Sequence, residues 1–170
     1  MHIFFNMFAL FVFGPALEYA MGEKRFVTFY FVTGIGALLL QWVVQAIELH
    51  AITGAYMIYH GNYTIFANQP GYEKIFEIYN VPILGASGAI FGLLVAFGML
   101  FPNVELFIMF IPLPIKAKYA VIGYILIELY SGVAQYSGDS VAHFAHLGGA
   151  LFGFILIKLW GMRRPNNFFN

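Results

Sequence analysis

Five apolar stretches separated by short breaks dominate this chain and limit what it can fold into: residues 2–21, 26–47, 81–101, 117–135 and 141–160. Each has about the ~20 helical residues that cross the hydrocarbon core of a bilayer. The breaks carry turn and charge signals: Gly22-Glu23-Lys24-Arg25, a long polar and aromatic loop over residues 48–80, Pro102-Asn103, Pro112 and Pro114, and Ser137-Gly138-Asp139. Charged residues make up only 9% of the chain and hydrophobic ones 61%. Soluble domains carry ~25% charged residues, so this chain cannot clothe a water-facing surface. Eight basic and eight acidic residues cancel, which leaves no basic footprint for a nucleic acid. Cysteine is absent, which excludes disulfides, thiolate metal sites and a cysteine nucleophile. The expected fold is an all-α polytopic membrane helix bundle with five transmembrane segments, and its obligatory partner is the lipid bilayer.

Lysine and arginine orient the bundle. With five crossings, Lys24, Arg25, Lys116, Lys118, Lys158, Arg163 and Arg164 fall on one membrane face, and Lys74 alone falls on the face that holds Met1. By the positive-inside rule the basic face is cytoplasmic. A bacterial cytoplasmic membrane is the expected location, with any site near the Met1 face opening to the non-cytoplasmic side.

Polar side chains at membrane depth are costly and mark function by default. Ser87 lies six residues into the third segment and His146 five residues into the fifth, both counted from the Met1 face. The helical rise puts both roughly 8–9 Å below that face. His2 and Asn6, spaced i,i+4, share one face of the first segment at the same end. A hydroxyl, an imidazole and an imidazole–amide pair at one level are the parts of an acyl-transfer site. Ser87 would be the nucleophile and His146 the general base. Asn6 and His2 would donate hydrogen bonds to the oxyanion. The chain's one aspartate, Asp139, lies in a surface loop, so a Ser-His dyad fits better than a Ser-His-Asp triad.

The run Val81-Pro82-Ile83-Leu84-Gly85-Ala86-Ser87-Gly88 argues against an unbroken helix. The chain is expected to dip into the membrane and to start its helix near Gly85. From there to Phe101 is about 25 Å of helix, short for a full span. The helix start would aim backbone N–H groups at the reacting carbonyl. Gly88 and Gly92 on the third segment, and Gly149 and Gly153 on the fifth, provide small-residue faces for close helix approach. Gly34 and Gly36 read as packing positions.

With these residues in place the chain resembles the rhomboid intramembrane serine proteases. The matching motifs are His2-Ile3-Phe4-Phe5-Asn6 (HxxxN), Gly85-Ala86-Ser87-Gly88 (GxSG) and Ala145-His146-Leu147-Gly148-Gly149 (AHxxG), in the family's order and segment placement. The resemblance implies a helical core that cleaves transmembrane helices of other proteins without a metal or organic cofactor. It implies Ser87 as nucleophile, His146 as base, and an oxyanion hole of His2, Asn6 and the Ser87 backbone N–H. Phe91 matches an aromatic that packs on the catalytic imidazole, Phe5 an aromatic near the substrate gate, and residues 117–135 a mobile gating helix. Relative to the family's six-helix core, residues 1–170 are expected to form a rhomboid-like membrane domain truncated at its N-terminus, since a first helix and a loop with a Trp-Arg motif would precede HxxxN.

Other readings attach to the same residues. Ser87 alone could be a small packing residue. His143, His146 and His2 could ligate a metal, but no HExxH-type pairing is present. His143 lacks a glycine three residues on and reads as a hydrogen-bonded structural group or mouth residue. Glu18 reads as a structural acceptor. Glu128, mid-segment, reads as a buried structural or hydration site ahead of a proton or ion site. At the level of function, the alternative is a proteolytically inactive rhomboid-like protein that binds transmembrane clients. A channel is disfavoured by the absence of repeat symmetry.

Overall fold

The computed structural model describes residues 2–59, 62–80, 86–107, 113–134 and 142–165, with His2 as backbone only. Within them lie six α-helices: α1 (His2–Met21), α2 (Glu23–Thr53), α3 (Tyr72–Asn80), α4 (Ala86–Leu100), α5 (Ala117–Ala134) and α6 (His143–Leu159). The five apolar stretches are α1, α2, α4, α5 and α6, and the chain is an integral membrane helix bundle. Gly22 alone separates α1 from α2, at φ 81°. Three helices, α1, α2 and α5, are long and apolar enough to cross a membrane. The other two are shorter than the five-span expectation. α4 has 15 residues and α6 has 17, about 22 and 25 Å of helix.

The bundle is packed by its smallest residues. In lipid there is no hydrophobic force between helices, so van der Waals contact must hold them together. α4 is the central element, and most of its length is buried. A Cβ added at Gly92 would fall 2.7 Å from the Cβ of Thr33 on α2, and one added at Gly153 would fall 2.9 Å from the Cα of Gly92. A Cβ at Gly148 would fall 2.9 Å from the Cα of Ala37, and one at Gly36 would run into the Phe152 ring. α2, α4 and α6 therefore meet almost backbone to backbone. These pairings run parallel for α4 and α6, and antiparallel for α2 against both, as alternating membrane crossings require. Thr33, buried between them, donates its hydroxyl to the Phe29 carbonyl at 2.8 Å. Its hydrogen bond is thereby satisfied within its own helix. Large side chains face outward instead: Phe31, Ile35 and Trp42 on α2, Ile127 and Tyr130 on α5, and Leu159 on α6 are all exposed. At the basic end Leu17, Phe29, Leu93, Phe97 and Ile157 form the apolar core.

Two connections differ from the expected loops. The break after residue 47 is not there: α2 runs on to Thr53 and stops at Gly54, whose φ of 76° suits glycine. Glu48 and His50 signalled a helix end by polarity, but both have partners. Glu48 pairs with Lys74 at 3.6 Å and His50 stacks on Tyr56 at 4.1 Å. Residues 62–80 of this region are also structured. A 3-10 turn over Asn62–Phe66 leads to α3, which buries Ile75. Tyr79 donates its hydroxyl to the Ile58 carbonyl at 2.7 Å and accepts the Ile58 N–H at 2.9 Å. On the opposite face, the proline-marked break holds strands β1 (Glu105–Phe107) and β2 (Pro114–Lys116), paired antiparallel with Glu105 opposite Lys116. Three residue pairs are too short a pattern to read as a hairpin.

Candidate active site

α4 begins at Ala86, so Ser87 stands in the first turn, where N–H groups point out of the helix end. Gly85, near which the helix is expected to start, lies outside the described residues. Ser87 is half-buried and Gly88 buried. Phe91 follows Ser87 by one turn on the same face of α4.

The next helix-to-helix contact brings α6 to this point. A Cβ on Gly88 would fall 3.1 Å from the carbonyl oxygen of Ala145, and a Cβ on Gly149 would collide with the carbonyl of Gly88. The residue after Ser87 thus touches both the residue before His146 and the one a turn below it. The His146 ring lies flat on Phe91, with centroids 4.3 Å apart and planes 9° from parallel. The expected aromatic–imidazole packing is present. Gly149 and Gly153 sit at the crossing with α4, as their spacing predicts.

A third helix contributes what the sequence reading missed. At Gly132 an added Cβ would fall 3.2 Å from the His143 Cβ, so α5 and α6 also approach closely. One turn earlier on the same face of α5 is Glu128. Its Oε2 lies 2.7 Å from His143 Nδ1, a hydrogen bond, and 3.0 Å from His146 Nδ1. Side-chain exposures of 12–13% for all three leave little contact with the surroundings. His146 Nδ1 is buried and out of line for a hydrogen bond despite its distance. Catalytic hydrogen bonds are often poorly aligned before substrate binds. The signal for Glu128 was its depth. It lies seven residues from the Met1-face end of its segment, about 10 Å, close to the level of His146.

The donor atoms of Glu128, His143 and His146 lie within 4.8 Å of one another, so the trio could hold a metal ion. The donors of a tetrahedral zinc at ~2.0–2.1 Å stand about 3.3 Å apart. The 2.7 Å contact between Glu128 and His143 is shorter than that and suits a shared proton better.

α1 places Asn6 half-buried and Phe5 exposed. Its Phe13 ring meets Phe97 of α4 edge-on at 4.9 Å. Counting the rise back along each helix from that contact leaves Asn6 within about one turn of the level of Ser87. The His2 side chain lies outside the described residues.

A family model described as the Rhomboid domain matches residues 1–163. The mitochondrial Rhomboid protein 1 of Saccharomyces cerevisiae is 30% identical over 153 residues, which is 89% of this chain and 36% of that protein. The chain therefore spans little more than a third of the length of this curated relative. No solved structure matches significantly.

Proposed function

The chain belongs to the rhomboid family, and on that premise we propose that it is a serine-type intramembrane endopeptidase. The observation that carries this reading is the crossing of α4 and α6. It brings the neighbours of Ser87 into contact with the neighbours of His146 and stacks the imidazole on Phe91. A packing serine has no need of an imidazole held at the same helix crossing.

In this mechanism the Ser87 Oγ attacks the scissile carbonyl and His146 takes the hydroxyl proton. The negative oxygen is held by the Ser87 N–H at the helix start, with Asn6 and His2 on α1 as further donors. Collapse breaks the C–N bond, and His146 returns the proton to the leaving amine. Water then adds to the acyl-enzyme with His146 again as base, the C–Oγ ester bond breaks, and His146 returns the proton to Ser87 Oγ as the new carboxyl end leaves. The substrate is a transmembrane helix that unwinds to expose its carbonyl. It enters between α1, where Phe5 is exposed, and α5, the proposed gate. The catalytic end lies opposite the basic face, so the site opens to the non-cytoplasmic side. A bacterial cytoplasmic membrane, the expected location, is one membrane with this polarity, and the name of the yeast relative places that protein in mitochondria.

The test is cleavage of single-span substrates in proteoliposomes, with products sized by mass spectrometry. Cuts at the Met1-face end of the span are expected. Intact substrates together with stable binding of them would overturn the protease in favour of a client-binding protein.

A further inference from the structure

We propose that Glu128 is a positioning residue for His146, so that the dyad works as a Ser-His-Glu triad. The proposal rests on the proteolytic reading. A carboxylate at membrane depth is costly unless it is paired. Glu128 meets two imidazoles, each through Nδ1, at 2.7 and 3.0 Å. A carboxylate only accepts, so His143 presents Nδ1–H to it, and closing the 3.0 Å contact into a hydrogen bond requires the same of His146. For His146 this selects the tautomer in which Nε2 is bare and able to take the serine proton. The same carboxylate then stabilises the imidazolium that forms during attack. The orienting acid of a serine triad plays these two parts. His143 binds the same oxygen, Oε2, at 2.7 Å and keeps it in place. On the α2 side, Gly148 of α6 packs against Gly36, Ala37 and Leu40, none of which is charged.

The experiment compares the rate at which a fluorophosphonate labels Ser87 in micelles with the His146 tautomer read by 15N NMR. Glu128→Gln is expected to slow labelling by ~10²–10⁴-fold, the upper figure being the loss when a triad aspartate becomes asparagine. It is also expected to populate the Nε2–H tautomer. Glu128→Asp should recover part of the rate and the Nδ1–H signal, and His143→Ala should cost less than Glu128→Gln. Wild-type rate and tautomer in Glu128→Gln would overturn the positioning role. So would an equal loss in His143→Ala and Glu128→Gln with the tautomer unchanged, which marks a purely structural link. Absence of labelling in the wild type would instead overturn the protease reading itself.

A separate observation at the opposite face carries a second inference. A cavity of about 650 Å³ opens between α4, α5 and α6 at the basic end, lined by Lys118, Lys158, Arg163 and Arg164 with Met99 and Phe154 on its apolar side. No acidic residue lines it, and among the described residues none of these four cations has a carboxylate within ion-pair distance. Lys158 lies over the Phe154 ring at 5.6 Å, but four like charges lining one hollow repel each other. Convergence beside apolar wall suits a phosphate that carries acyl chains. Basic pockets between transmembrane helices on this side take anionic headgroups, and exposed Leu151, Phe154 and Ile155 continue the apolar path along α6. We infer that the cavity binds the headgroup of an anionic phospholipid.

The probes are phosphatidylglycerol and cardiolipin against phosphatidylcholine and inorganic phosphate, with retention read by native mass spectrometry and stability by melting in micelles. Anionic lipid should be retained and should raise Tm. Replacing Lys118, Lys158, Arg163 and Arg164 by Gln should lower retention at least tenfold, whereas Lys24→Gln with Arg25→Gln, on the same face outside the cavity, should not. Equal retention of phosphatidylcholine, equal protection by inorganic phosphate, or an equal loss in the Lys24/Arg25 variant would overturn the site.

Discussion

Ser87→Ala is expected to reduce cleavage to background, a loss on the order of 10⁶-fold, and to abolish labelling by serine-directed probes. His146→Ala should match it. Nucleophile and base act as one unit, so either deletion costs about as much as both together. The double variant is therefore expected to be no worse than the single ones, which separates a shared step from two independent contributions. The serine change is structurally mild. It removes one oxygen from a half-buried position in the first turn of α4, and alanine favours helix. Helical content and Tm in micelles should stay at wild-type values, so that lost turnover is lost chemistry. The histidine change removes a ring stacked on Phe91 and is expected to lower Tm as well, which makes Ser87→Ala the cleaner test. Wild-type labelling in Ser87→Ala would put the nucleophile elsewhere. Among the described residues the one other serine is Ser131, half-buried on α5.

The architecture was legible because lipid as a solvent leaves the chain few options. Long apolar runs with few charges had to become helices, and the glycines at Gly88, Gly92, Gly149 and Gly153 announced where helices touch, since a small residue every fourth position is a face. Depth alone placed Ser87 and His146 at one level. What depth does not give is azimuth. Glu128 was visible at the right level on its segment, yet whether it faced lipid, a cavity or an imidazole depended on how α5 rolls against α6, which the contact at Gly132 decides. The misread connections have a different cause. Glu48 and His50 carry the polarity of a helix end, yet α2 continues past both, with Glu48 paired to Lys74 and His50 stacked on Tyr56. α3 and the β1–β2 pair are short elements held by tertiary contacts such as Tyr79 with Ile58, which leave little local pattern.

The second large effect is expected from a single methyl group. Gly149→Ala puts a Cβ into the carbonyl of Gly88, one residue beyond the nucleophile and one turn below the base. In most cores an added methyl is absorbed by a rotamer change at about 1–3 kcal/mol. Here the obstacle is backbone at the start of α4, and a glycine has no side chain to move. The helices must separate, and separation moves Ser87 away from His146. A displacement of ~1 Å is worth about 10²-fold in rate, so Gly149→Ala should lose at least that much turnover and melt several degrees lower. Gly153→Ala, whose Cβ would fall 2.9 Å from Cα of Gly92 further from the site, should destabilise to a similar degree but spare more activity. Gly123→Ala is the control: nothing lies within 4 Å of its added Cβ on α5, and it should leave turnover unchanged without lowering Tm. The order Gly149, Gly153, Gly123 in lost activity is the signature of a dyad held by helix contact. Equal, wild-type-like behaviour of all three would mean that α4 and α6 do not cross at Gly88, and the geometry that joins Ser87 to His146 would go with it.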